Sequence, residues 1–284
     1  MIDLHVVVVS YNTAPLLLDC LASLAESRFP GREVVVSVVD NGSSDGSAEI
    51  VERQFPGFRL IRSENRGYAH GNNMALRRVS ARYHLLLNPD TAFAPGALAP
   101  CLDYMESHPE VGALGVRLVL PDGQLDLACR RGTPTPWNAF ARYSGLARLF
   151  PRSRLLGGYN LTYLDPDQEA DVGSLVGAFM LLREEALAQA GSLDESFFMY
   201  GEDLDLCLRL RQLGWAIRYW PEVTVLHHKR AASSKSPRAR REFFRAMRIF
   251  YSKHRSSPFH FLQRPLVMLG IALVEWLSSW GGML

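Results

Sequence analysis

Val34-Val35-Val36-Ser37-Val38-Val39-Asp40-Asn41-Gly42-Ser43-Ser44-Asp45-Gly46-Ser47 is an apolar run that stops at a carboxylate, then a turn of glycines and capping residues, then a helix start. A continuously apolar strand is one covered on both faces, as parallel strands between helix layers are. Outward from this unit the alternation repeats. Residues 4–9 read as a strand, and Thr13-Ala14-Pro15 opens a helix over about 15–27 with Leu16, Leu17, Cys20, Leu21 and Leu24 on one side. A helix near 47–54, a strand at 58–62, a helix near 68–79 and a strand at 83–87 continue the series. The pattern predicts an α/β fold with an open, mostly parallel sheet and helices on both faces.

A helix at 96–107 and a strand at 112–118 extend it. Residues 121–170, broken by Pro121, Pro134, Pro136, Pro151, Gly157, Gly158 and Pro166, read as an insertion over the ligand edge of the sheet. Regular structure resumes at 174–182, with a helix at 183–190, an acidic helix over about 202–213 and a strand at either 215–219 or 223–226.

The 284 residues, 48% apolar and 21% charged, suit an ordered globular chain with one large core. Cys20, Cys101, Cys129 and Cys207 have no metal-ligand spacing and read as thiols of a reducing compartment. The first apolar run is too short for a secretory signal or a membrane span, so a cytoplasmic location is expected. Net charge is only +2, yet ten Lys or Arg residues and one acid lie between His227 and Gln263. After Pro265 the apolar stretch Leu266–Leu277 contains Trp276 and a single acid, Glu275. Two readings stay open for this C-terminus: a helix docked on the core, or a basic-and-apolar surface resting on an anionic membrane. Nucleic-acid binding is disfavoured, because the basic run adjoins an apolar helix and no recognition motif accompanies it.

Three polar clusters follow probable strands: Asn88-Pro89-Asp90, Tyr200-Gly201-Glu202-Asp203-Leu204-Asp205, and His227-His228. One site on an open α/β sheet gathers such distant strand ends. Each has an ordinary alternative: Asp40 and Asp90 as caps, His227 as a core histidine, and the acids as a helix start with Leu204, Leu206, Leu208 and Leu210 facing inward. As a site, Asp40 accepts a hydrogen bond from a base N–H, and Asp90 binds a hard divalent ion with His227 as a further ligand. Asp203 then takes a proton from an attacking hydroxyl. Neither a dinucleotide fingerprint nor a P-loop is present.

These pieces, together with Val8-Val9-Ser10-Tyr11-Asn12, Glu64-Asn65-Arg66-Gly67-Tyr68, Asn72-Asn73, Gly177-Ala178-Phe179 and the full run Phe197–Cys207, resemble the inverting family 2 glycosyltransferases of GT-A fold, nearest the bacterial rhamnosyltransferases. The motifs fall in the family's order over roughly residues 4–230, implying a transferase domain over 1–230 and a basic, apolar helical extension over 231–284. By resemblance, Val9, Tyr11, Asp40, Asn65, Gly67, Asn72, Asn88 and Asp90 hold the nucleotide sugar, and Asp90 with His227 binds Mg²⁺ or Mn²⁺. Asn88 replaces the first acid of the family's Asp-x-Asp element, which removes one charge from the metal site. Asp203 is the implied base, with Glu202 beside it. The implied donor is dTDP-L-rhamnose, with UDP-galactofuranose, UDP-glucose or UDP-N-acetylglucosamine as alternatives and a non-catalytic sugar-nucleotide binder as a further one. The acceptor is a cell-surface glycan or a polyprenyl-diphosphate-linked sugar, met at the cytoplasmic face of the inner membrane. Self-association into a homo-oligomer is compatible with this picture.

Overall fold

A computed structural model describes residues 1–229, 237–254 and 260–280. Strands β1 (Ile2–Ser10), β2 (Val34–Asp40), β3 (Arg59–Arg62) and β4 (Ala81–Leu87) run parallel in the order β3-β2-β1-β4. They are joined by α1 (Ala14–Glu26), α2 (Ser47–Gln54) and α3 (Tyr68–Leu76). Val6, Val7, Val8, Val38, Val39, Leu85, Leu86 and Leu87 are buried whichever way they point, as a sheet covered on both faces requires.

β5 (Thr91–Ala92), α4 (Ala99–Ser107) and β6 (Val111–Val119) follow, then a 3-10 turn at Leu127–Cys129, α5 (Pro136–Tyr143), α6 (Leu146–Leu149) and β7 (Ala170–Asp171). β8 (Phe179–Arg183) is the reversed strand between β4 and β6, antiparallel to both. After α7 (Glu184–Ala190) and α8 (Glu202–Gln212), β9 (Ala216–His227) pairs parallel with β6, and short β5 and β7 add antiparallel to it. Six strands therefore share one direction, and the mostly parallel α/β sheet expected from the sequence is present.

Three local expectations differ. The alternatives 215–219 and 223–226 are one strand: β9 runs through Pro221 because the register with β6 jumps from Val116↔Trp220 to Arg117↔Thr224. Pro221, which has no N–H, thus faces no ladder acceptor. Residues 174–178 are not strand; Ser174 instead exchanges backbone hydrogen bonds with Arg131 at 2.8 and 2.9 Å. Of the α8 leucines, Leu206 and Leu210 are fully buried while Leu204 and Leu208 are intermediate, because a helix rotates alternate leucines off the core face.

The C-terminal part contains α9 (Pro237–Lys253) and α10 (His260–Trp280), the latter starting before Pro265 rather than after it. Three of the basic residues, Arg230, Lys235 and Arg255, lie outside the described residues. α9 buries Ala239, Phe244 and Ala246, and its end is tied to α8 by Lys253 and His254, each 2.7 Å from Asp205 Oδ1. α10 lies on α9, with Ile271 buried and Glu275 paired to Arg248. Its opposite side leaves Leu266, Leu269, Leu273 and Trp276 exposed, so one helix shows both a docked face and a bare apolar stripe. Among the described residues no helix is long and apolar enough to cross a membrane.

Candidate active site

β1, β2, β4 and β9 end at Ser10, Asp40, Leu87 and His227 on one edge of the sheet, where ligands of open α/β sheets bind. A cleft of about 1190 Å³ opens there, and Asn88, Asp90, Glu202, Asp203 and His227 all line it. The three distant clusters meet in space.

His227 is the hinge of the first group. Its Nδ1 donates to Asp126 Oδ2 at 2.8 Å, and its Nε2 stands 3.4 Å from Asp90 Oδ1. That second contact is a charge contact rather than an aligned hydrogen bond, for Asp90 Oδ1 is buried without a hydrogen-bond partner. Burial opposes a charged ring, but Asp126 and Asp90 outweigh it and push His227 up to about 9. Asp126, despite its own burial, is held well below the usual carboxylate range by His227 and Lys229. Lys229 Nζ lies 2.7 Å from the other Asp126 oxygen. The donor set fits a divalent cation: an orphaned carboxylate oxygen and an imidazole nitrogen face each other, and a carboxylate orients the far side of the ring. No group of three or more His, Cys, Asp and Glu suited to a metal gathers among the described residues, so diphosphate oxygens and water would complete the shell.

The acidic run divides into three different carboxylates. Gly67 must be glycine, because a Cβ there would lie 2.3 Å from Phe198 O; this close approach lets Tyr68 N donate to Phe198 O at 2.8 Å. Tyr200 (φ 68°) and Gly201 (φ 87°) then turn the chain through two left-handed residues into α8, a strained entry beside the site. Asp203 Oδ2 accepts from Arg131 Nη2 at 2.7 Å and from Gly177 N at 3.3 Å, while Oδ1 accepts from Leu204 N at 2.7 Å. Glu202 Oε2 is buried without a partner, and burial together with the charge of Asp203 pushes Glu202 up to about 8. It is therefore neutral at pH 7. Asp205 points the other way: burial would raise it, but His254, Lys253 and Arg209 bring it down to about 2 and make it the anchor of α9.

A second group lies outside the cleft lining. Asp40 is buried, with Oδ2 accepting from Ser43 N at 3.1 Å and Oδ1 left without a partner. Asn41 Nδ2 donates to Gly67 O at 3.2 Å, and Asn65 Oδ1 accepts from Gly67 N at 3.3 Å. Asp40, Asn41, Asn65 and Gly67 thus form a connected patch. Tyr11 is about half exposed; Val9 is buried with a methyl 2.8 Å from where a Gly71 Cβ would stand; Asn72 is buried, its Nδ2 donating to Tyr68 O at 2.9 Å. Two residues escaped sequence reasoning. Arg131 and Asp126 sit in the irregular segment 121–170, 72 and 101 positions from the side chains they hold, and no periodicity marks them.

Comparison with known proteins identifies the family of the chain. Residues 5–160 match the family model "Glycosyl transferase family 2", and residues 162–281 match "Glycosyl transferase family group 2". The chain is 33% identical to a Mycobacterium tuberculosis N-acetylglucosaminyl-diphospho-decaprenol L-rhamnosyltransferase, over 82% of this chain and 78% of that protein. It is 24% identical to the rhamnosyltransferase WbbL of Escherichia coli K12, over 79% of this chain and 83% of that one. Among solved structures it resembles the mannosyltransferase PcManGT of Pyrobaculum calidifontis in complex with GDP-Man and Mn²⁺, with TM-score 0.60, 20% identity, and 99% and 76% of the two chains covered. It also resembles residues 1–349 of Staphylococcus aureus TarS in complex with UDP, with TM-score 0.59, 16% identity, and 95% and 71% covered.

Proposed function

We propose that this chain, which belongs to glycosyltransferase family 2, transfers L-rhamnose from dTDP-L-rhamnose, with inversion, to a hydroxyl of a sugar carried on a polyprenyl diphosphate. The observation that carries the reading is the meeting of Asp203 with Asp90 and His227 in one cleft at the strand ends. The name of the mycobacterial relative supports rhamnose and a lipid-linked acceptor.

Asp203 is the base. Arg131 and Gly177 N fix one of its oxygens, and the other, held by Leu204 N, is the one that would receive the proton of the acceptor hydroxyl. The hydroxyl oxygen attacks the anomeric carbon as its proton passes to Asp203, and the bond from that carbon to the diphosphate oxygen breaks. Attack and departure occur on opposite faces, which inverts the centre. Asp90 and His227 would hold Mg²⁺ or Mn²⁺, which neutralises charge on a departing diphosphate. Asp40, with its orphaned oxygen, and Asn65 belong to the nucleotide side.

The test is nucleoside diphosphate release from a panel of dTDP-, UDP- and GDP-sugars, with and without lipid-linked acceptor. Acceptor-dependent release from dTDP-rhamnose alone is expected; preference for another donor overturns the sugar, and silence throughout overturns the transferase reading. Asp90→Ala is expected to weaken Mn²⁺-dependent donor binding by about tenfold or more, the scale of losing one charged contact. An unchanged Mn²⁺ titration removes Asp90 from the ligand set.

The exposed stripe of α10 and the basic residues of α9 and Arg264 support contact with an anionic membrane surface. Replacing Leu269 and Leu273 together by Glu is expected to abolish sedimentation with anionic vesicles while leaving turnover of a water-soluble acceptor intact. Unaltered sedimentation assigns the stripe another role.

A further inference from the structure

The catalytic cleft, about 1190 Å³ in volume, has two kinds of wall. Its inner end carries Asp90, Asp203 and His227; its outer end is built from Met247 and Phe250 of α9 and Val267 and Ile271 of α10. Apolar side chains gain little against a hydroxylated sugar, whereas they suit a hydrocarbon. Arg142 of α5 lines the same cleft. Its guanidinium donates to Asn160 Oδ1 at 3.1 Å and stacks 5.1 Å from the centre of the Tyr159 ring. Among the described residues no carboxylate pairs with it, whereas Arg131, His227 and Lys229 in the same cleft each face an aspartate. Arg142 is exposed, so its charge is available to a ligand. Tyr143 OH, 3.9 Å from Met247 Sδ, joins the helix that bears this cation to the apolar wall. The same α10 that supplies Val267 and Ile271 to the wall carries the exposed leucine stripe on its other side.

We infer that the outer half of the cleft is a polyprenyl-diphosphate subsite: Arg142 pairs with the diphosphate, the α9–α10 wall receives the first isoprene units, and the attached sugar points inward to Asp203. This rests on the lipid-linked acceptor proposed above and assigns residues to it. A short apolar diphosphate is the probe, because it needs no turnover.

The experiment titrates the full chain with farnesyl diphosphate in metal-free buffer containing chelator, which silences a metal-dependent donor site. Farnesyl diphosphate is expected to bind, with inorganic pyrophosphate and farnesol each about tenfold weaker or worse, since each keeps only half of the contacts. Arg142→Ala and Met247→Glu are each expected to weaken it by about tenfold. Should Met247→Glu unfold, Arg142→Ala, a surface change, carries the result. No binding, binding of pyrophosphate as tight as that of farnesyl diphosphate, displacement by anionic phospholipid at equal concentration, or indifference to Arg142→Ala overturns the subsite. The donor panel stands apart from these outcomes, since nucleoside diphosphate release to a short-chain acceptor reports the transferase reading without the isoprene wall.

Discussion

Asp203→Asn is expected to lower transfer by about three orders of magnitude, within the range a general base contributes, while donor affinity stays within about twofold of wild type. The amide keeps an oxygen for Arg131 and Gly177 N at the cost of the hydrogen bond from Leu204 N, and an amide cannot take the hydroxyl proton. Removing the carboxylate charge leaves Arg131 unpaired in a site where both side chains are about one-tenth exposed, and a lower melting temperature is expected as well. The rate is therefore measured well below the melting transition, in single-turnover mode at saturating donor. Glu202→Gln is the matched control. Because Glu202 already holds its proton at neutral pH, the amide replaces a neutral group of the same shape, and transfer at pH 7 should fall by no more than about threefold. Wild-type turnover by Asp203→Asn, or a collapse confined to Glu202→Gln, assigns the base to the wrong acid.

The contrast between these neighbours shows where sequence reading stops. That Asp90 and His227 line one cleft was legible, because each follows an apolar run whose strand ends at one edge of the sheet; Asp203 reaches the same cleft differently, from the first turn of α8 after an irregular segment that the sequence had suggested as a strand end. The parallel core was legible for the same reason: runs such as Val6–Val9 and Leu85–Leu87 admit few other environments. What separates Asp203 from Glu202 and Asp205 is only the partner each meets: Arg131, none, and the end of α9. Those partners come from a proline-broken insertion and a helix some fifty residues later, and no local pattern encodes the pairing. The strand through Pro221 was split in the reading because proline normally interrupts a ladder, and only the register jump opposite β6 accommodates it. The two readings of the C-terminus were not true alternatives, since α10 docks with Ile271 and exposes Leu269.

Arg131→Met is expected to destabilise the protein by about 3–5 kcal/mol, the cost of leaving one member of a buried ion pair alone, and to slow transfer with little change in donor KM. The guanidinium is not placed to touch the donor; Nη2 bonds both Leu175 O and Asp203 Oδ2, while the Arg131 backbone is clamped to Ser174. It thereby fixes the segment before β8, where Gly177 N supplies the second hydrogen bond to Asp203. A purely structural arginine would alter stability alone. A positioning arginine also alters the chemical step, so single-turnover transfer at saturating donor should fall together with stability. Arg131→Lys, which retains charge but not the planar fork that bonds both Leu175 O and Asp203 Oδ2, is expected to recover only part of the rate and of the stability. The decisive measurement is the double variant. If Arg131 acts on the rate only through Asp203, then Arg131→Met combined with Asp203→Asn is no slower than Asp203→Asn alone, and it is more stable than the sum of the single losses because neither charge remains to be stranded. Rate losses that multiply in the double variant would show that Arg131 works on something other than the base.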